Sequence, residues 1–211
     1  MKGTKEDPIE LKEIVVKQRV LSITFDQLKQ IVPDIPKNGD VFVPYLNKVI
    51  TEFEINTPKR LAAFIAQIAH ESGGFRHMRE IASGATYDTG RKAKQLGNTP
   101  QADGDGQFYK GRSPMQITGK ANYKACSLFL FGDERLLKTP ELLELPEFAI
   151  RASAWYFVII KGNSLMDLPD SWRSATKKYS PFQYLTYRIN TALLHYDRRL
   201  AYFKKGLQAL S

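Results

Sequence analysis

A single cysteine, Cys126, stands in the 211 residues, so no disulfide can close within the chain. The expected place for it is a small buried position. Long apolar runs are also missing. The longest, residues 148–160, is interrupted by Arg151 and falls short of the roughly 20 residues that a membrane-crossing helix needs. Residues 1–20 are rich in lysine and glutamate and carry no apolar core, so no secretory leader is visible. The expectation is synthesis in a host cytoplasm, no stable membrane insertion, and release by other means if the protein acts outside. No phosphate-cradling glycine motif and no Ser-His-Asp arrangement stand out. The acids at Asp103 and Asp105 lack the full alternation of a calcium loop, so neither a metal nor a cofactor is expected. No basic stripe with interleaved aromatics appears, which argues against nucleic acid as a partner.

What remains is a globular, basic chain. Hydrophobic residues make up 43% of it, and lysine plus arginine outnumber aspartate plus glutamate 31 to 22, for a net charge of +9. Such a surface is drawn to polyanions, whether nucleic acid, anionic membrane or an acidic cell wall.

Helix signals run through the chain. Thr24 with Gln27 three residues on reads as a capping box, stopped by Pro33 and Pro36. Residues 42–53 place Leu46, Val49, Ile50 and Phe53 on one face. Thr57 and Pro58 open the clearest helix, carrying Leu61, Phe64, Ile65, Ile68 and Ala69 and ending at Gly73-Gly74. Residues 82–109 are glycine-rich and polar, and GNTPQADGDG within them has loop or short-hairpin composition. Further starts lie at Thr139-Pro140-Glu141, Pro146-Glu147 and Ser180-Pro181, and Asp197 is expected to cap a last helix. The division is an N-terminal arm or extension, 1–20, and one mainly helical domain, 21–211, expected to be a monomer.

Two glutamates draw attention. Glu71 closes an apolar helix and Glu80 follows nine residues later. Were the helix to continue, they would lie about 14 Å apart on opposite faces; the glycine pair lets the chain fold back instead. Glycoside hydrolysis needs one carboxylic acid to protonate the leaving oxygen and one carboxylate to activate water. An apolar surrounding suits the acid, Glu71, and a polar one suits the base, Glu80. His70 is expected to close the helix end, where a protonated histidine is favourable. Tyr109, Tyr123, Trp155 and Tyr156 are candidates for a sugar platform, with the last two better placed for a core.

The segments AHESGGF and GDGQFYKGRSPMQITGKANY resemble glycoside hydrolase family 19, which comprises plant-type chitinases and the endolysins of bacteriophages. The resemblance runs from about residue 43 to 210. The spacer YDTGRKAKQLGNTPQADGDG resembles the bacterial and phage branch. It implies a lysozyme-like fold, mainly α with an α+β character: two helical lobes flanking a substrate cleft, with the polar loop or short hairpin section between them. It implies an inverting mechanism with Glu71 as acid, Glu80 as base and the Thr118 hydroxyl helping to hold the water. It places Tyr109, Gln116, Asn122, Tyr123 and Asn190 on substrate-contact positions, and Arg199 on an arginine near the base. Two departures stand out: Ser113 replaces a usual glycine, and Asn190-Thr191-Ala192 replaces N-G-G.

The leading expectation is a peptidoglycan hydrolase of the endolysin or muramidase kind, cutting β-1,4 bonds of the bacterial wall. The alternatives are a chitinase acting on N-acetylglucosamine polymers, a lytic transglycosylase, or an inactive wall-binding protein. A transglycosylase needs only one catalytic carboxylate.

Overall fold

A computed structural model describes residues 21–211 of the protein. The expected arm, 1–20, lies outside the described residues. The helices are α1 (Phe25–Ile31), α2 (Val43–Glu52), α3 (Pro58–Glu71), α4 (Gly90–Leu96), α5 (Asp105–Phe108), α6 (Lys120–Phe131), α7 (Pro146–Ile159), α8 (Gly162–Met166), α9 (Pro181–Ile189) and α10 (Tyr196–Leu210). Among the described residues the only β pairing is a pair of isolated antiparallel bridges, Arg79 with Arg112 and Arg112 with Ile117.

The central element is α3. Thr57 accepts the Arg60 amide at its start and Pro58 occupies the first turn. Every residue from Leu61 to Ala69 is buried, so the helix is enclosed on all sides rather than along one stripe. Its principal partner is α10. The two come close because Gly206 lies against Ala62: a Cβ on Gly206 would stand 2.7 Å from the Ala62 Cβ. The helix ends through side-chain and backbone bonds together. Ser72 Oγ donates to the Ile68 carbonyl (2.6 Å) and accepts the Phe75 amide (2.8 Å). Gly73 and Gly74 follow at φ +61° and +75°, a conformation that glycine adopts without steric cost.

Two groups of elements emerge. One gathers α1, α3, α8, α9 and α10, with α2 joined to it through its packing on α7. The other gathers α4, α5, α6 and the 3₁₀ turns at Ala85–Tyr87, Arg135–Leu137 and Pro140–Glu144. Helix α7 touches both. The chain crosses from the first to the second group directly after the Gly73-Gly74 turn.

Several expectations change. GNTPQADGDG forms no hairpin. Side chains hold it instead: Asp105 Oδ2 accepts the Thr99 amide (3.1 Å), Asp103 accepts the Asp105 amide (3.2 Å), and Asn98 Oδ1 ties the loop to α6 by accepting the Lys120 amide (2.8 Å). The same bonds engage the two aspartates with loop groups and with Lys120. Helix α4 arises within the stretch read as loop. The start at Thr139 yields only a 3₁₀ turn. Asp197 sits in the first turn of α10, where an acid suits the helix dipole, while His195 holds the cap position at φ +55°. Cys126 is buried, and the capping box at Thr24 and Gln27 is present.

Candidate functional site: two glutamates and their supports

Glu71 is the last residue of α3, and its side chain keeps 23% exposure. Its Oε1 lies 2.6 Å from Nη2 of Arg199, which is only 1% exposed. Arg199 reaches it from the first turns of α10. Its Nη1 donates to Gln67 Oε1 (2.7 Å) and its Nε to the Leu194 carbonyl (3.4 Å). Gln67, one turn before Glu71 on α3, donates through Nε2 to Thr186 Oγ1 of α9 (2.9 Å). Three helices thus fix one guanidinium, and the guanidinium fixes the carboxylate.

Glu80 is held differently. Its Oε1 accepts the Tyr87 hydroxyl (2.9 Å) and its Oε2 accepts the Gly111 amide (3.1 Å). Its own amide donates to the Gly111 carbonyl (2.8 Å), and the Ser113 amide donates to the Met78 carbonyl (2.9 Å). The stretch 78–80 is therefore laid against 111–113 by main-chain bonds, and this pairing joins the two sequence motifs. Tyr87 comes from the 3₁₀ turn in the polar spacer, where Asn98 Nδ2 donates to its carbonyl and Lys92 Nζ lies 4.4 Å from its ring centre. Burial, and then the bond to Glu80, push the Tyr87 phenol upward, so it remains a donor.

Gln116 and Thr118 converge on the same point. A Cβ on Gly111 would stand 2.2 Å from Gln116 Oε1 and 3.2 Å from Thr118 Oγ1, so only glycine admits both side chains beside the amide that holds Glu80. Thr118 Oγ1 donates to the Gln116 carbonyl (2.9 Å), and Asn122 Nδ2 to the Thr118 carbonyl (2.7 Å). Asn122 is exposed; Gln116 and Thr118 are half-buried.

Three residues expected to touch substrate lie elsewhere. Tyr123 is fully buried, its hydroxyl donating to the Lys110 carbonyl (2.7 Å) and accepting Arg112 Nη1 (3.0 Å). Tyr109 is 4% exposed and its hydroxyl donates to the Leu137 carbonyl (3.0 Å). Both stand behind the surface as supports, because an aromatic ring gains more from core packing than an open wall offers. Arg199, expected near the base, is instead buried against Glu71, because α10 packs along α3 and carries it to that helix's end. Asn190 ends α9, and its Oδ1 accepts the amides of Ala192 (3.0 Å) and Leu194 (3.5 Å). It shapes the loop that brings the Leu194 carbonyl to Arg199. The positive φ angles there fall on Leu193 and His195, so Thr191 and Ala192 need no glycine. Ser113 does occupy a left-handed position, φ +63°, and its buried Oγ has no hydrogen-bond partner among the described residues.

The sequence reading passed over Gln67, Tyr87 and Arg112. Arg112, 4% exposed, ties the floor together through Glu144 (2.8 Å) and the Phe108 carbonyl (2.8 Å). Tyr156 is half-buried, with its phenol pushed up by burial and then by the nearby Glu71 charge, while Trp155 is buried. His70 does not serve as a cation at the helix end. Burial, then Arg199, Arg198 and His195, lower its pKa to about 4, so the ring is neutral at pH 7.

A helical domain with one carboxylate at the end of a buried helix and a second just past the turn is of the lysozyme-like class. The family model described as "Chitinase class I" matches residues 48–183. The chain belongs to glycoside hydrolase family 19. An endochitinase of Arabidopsis thaliana is 36% identical over 103 residues, which take in 48% of this chain and 36% of the relative. A glycosyl hydrolase family 19 domain-containing protein of Haemophilus influenzae is 30% identical over 122 residues, 46% of this chain and 60% of the relative. These matches cover less than two thirds of either relative's length. Among solved structures, chitinase C from Streptomyces griseus superposes with a TM-score of 0.64 at 20% identity, covering 92% of this chain and 95% of that one. The class IV chitinase of Zea mays gives 0.59 at 20% identity, with 88% and 90% covered. These two likenesses show the fold.

Proposed function

We propose that residues 21–211 form a monomeric catalytic domain that hydrolyses β-1,4 bonds in a polymer of N-acetylated amino sugars. Glu71 donates a proton to the glycosidic oxygen as the bond to the anomeric carbon breaks. Glu80 takes a proton from water as its oxygen attacks that carbon from the opposite side, and Thr118 helps to hold the water. Configuration inverts, and no covalent sugar–enzyme bond forms. The observation that carries the reading is the pair of separately anchored carboxylates, Glu71 on Arg199 and Glu80 on Tyr87 and the Gly111 amide. Gln116, Asn122 and Asn190 are the proposed substrate contacts.

Chitin-type chains are the substrate that the relatives' names favour. Peptidoglycan is a second reading, favoured by the net charge of +9, which suits an acidic wall. In that reading the protein meets the wall after release from the cytoplasm.

The test is mass spectrometry of products from chitin oligomers and from purified peptidoglycan, side by side, with anomeric NMR of the fresh products. Reducing-end products of inverted configuration support the mechanism. A 1,6-anhydro sugar would overturn it in favour of a transglycosylase, and a lack of turnover on both substrates would leave a binding protein.

A further inference from the structure

Arg199 is a buried cation whose one carboxylate partner among the described residues is Glu71. That raises a problem which rests on the proposed role of Glu71. A general acid alternates between carboxylic acid and carboxylate, and in its neutral form it leaves the guanidinium without a counter-charge. An uncompensated buried charge is costly, and the pair would be expected to stay locked as ions. Two neutral acceptors already grip the same guanidinium: Gln67 Oε1 on Nη1 and the Leu194 carbonyl on Nε. Gln67 is itself fully buried and aimed by Thr186, whose Oγ1 accepts from Gln67 and donates to the Phe182 carbonyl (3.1 Å).

We infer that Gln67, oriented by Thr186, is a positioning residue that keeps Arg199 in place while Glu71 carries its proton, and so lets Glu71 cycle. An amide is suited to this task. It offers a carbonyl dipole to the guanidinium without adding a charge that would compete with Glu71 for it. Leucine would leave Nη1 without its acceptor. Glutamate would give Arg199 a permanent second partner and place a like charge near Glu71. The other charged or titratable groups around the pair are His70 on α3, Tyr156 on α7, Arg188 on α9, and His195 and Arg198 at the start of α10. None of them is altered in the variants below, so their contributions carry through the comparison.

The two substitutions push in opposite directions. In Q67E the added negative charge favours the protonated form of Glu71, and the alkaline limb of the kcat profile moves to higher pH, by about one unit. In Q67L the guanidinium depends wholly on Glu71 and the Leu194 carbonyl; the limb moves to lower pH, and kcat falls roughly tenfold to a hundredfold with little change in KM. T186V, which frees the amide to turn, follows Q67L more weakly, and T186S restores the wild-type profile. A purely structural role would lower the folded fraction and leave both limbs in place.

The experiment measures these profiles on whichever oligomer the wild-type protein cleaves, together with a ¹³C NMR titration of the Glu71 carboxyl in each variant. The titration needs no turnover. If the Glu71 midpoint stays put in both Q67E and Q67L, the inference is overturned whatever the activity. If the midpoints move apart as described but the wild-type protein cleaves neither substrate, the proposed hydrolase reading fails and the Gln67 network stands. Should Q67L not fold, Q67E against T186V tests the same opposition.

Discussion

Glu71 and Glu80 lie nine residues apart in sequence, yet the protein supports them by different means. Glu71 is tied to an arginine 128 positions away, held in turn by groups from two further helices and a loop. Glu80 rests on a tyrosine seven positions on and on a main-chain amide. One support is ionic, buried and built from distant side chains; the other is neutral and shared between one side-chain hydroxyl and one backbone amide. The first exists only when α3, α9 and α10 are packed, so it links the site to the stability of the domain. The second exists once 78–80 is paired with 111–113. A backbone donor cannot be removed by substitution, whereas a buried arginine can, so the two glutamates should respond to mutation in different ways.

The largest effect tests whether both are needed. E71Q and E80Q should each lower kcat by about 10² to 10⁴, as read by oligomer hydrolysis; in circular dichroism E80Q should keep its thermal midpoint, while E71Q, which leaves the buried Arg199 without its carboxylate, should lower it. Full activity in E80Q would break the two-carboxylate comparison. Next, R199M should unsettle the Glu71 side alone. Removing one partner of a buried, hydrogen-bonded ion pair costs about 3–5 kcal/mol, visible in urea unfolding. Y87F is its counterpart on the Glu80 side. It removes one charge-assisted bond and keeps the Gly111 amide, so activity should fall about tenfold to a hundredfold with little loss of stability. Equal stability losses in R199M and Y87F would erase the distinction drawn above.

A smaller effect is expected at the helix contact that brings Arg199 to Glu71. G206A presses a methyl group onto Ala62 and should cost about 1–3 kcal/mol in unfolding experiments. The smallest is a pH effect. The folded-state pKa of His70 is depressed to about 4 from an unfolded value near 6.5, so the folded state binds fewer protons than the unfolded state between those values. Stability is intact above pH 6.5 and declines as pH falls toward about 4. H70Q should flatten part of that decline in thermal melts between pH 7 and 4.5. The aspartates with lowered pKa values, such as Asp34 and Asp167, lose their contributions at lower pH in both proteins and drop out of the difference.

Much of the framework could be read from local chemistry. The caps at Thr24, Thr57 and Ser180 and the stop at Gly73-Gly74 depend on neighbours within a few residues, and each appears where its pattern places it. Tyr109 and Tyr123 could not be sorted in this way, because a tyrosine at a site wall and one in a core look the same in sequence. Which it becomes depends on whether a carbonyl such as that of Leu137 or Lys110 meets its hydroxyl inside. Gln67 was hidden for a related reason. A polar residue on an apolar helix signals a buried partner without saying which.

The sequence by itself determined that α3 forms, that it carries an apolar face, that Glu71 ends it, and that Glu80 follows a turn only glycines make without strain. These are consequences of helical periodicity and backbone sterics, which act over a few residues. The tertiary structure alone decided that Arg199 clamps Glu71, that Gln67 and Thr186 aim Arg199, and that the Gly111 amide holds Glu80. Those contacts join residues up to 132 positions apart. No local preference encodes them; they follow from which helices bury their apolar faces against one another, and from the need to satisfy each polar group that this burial carries inside.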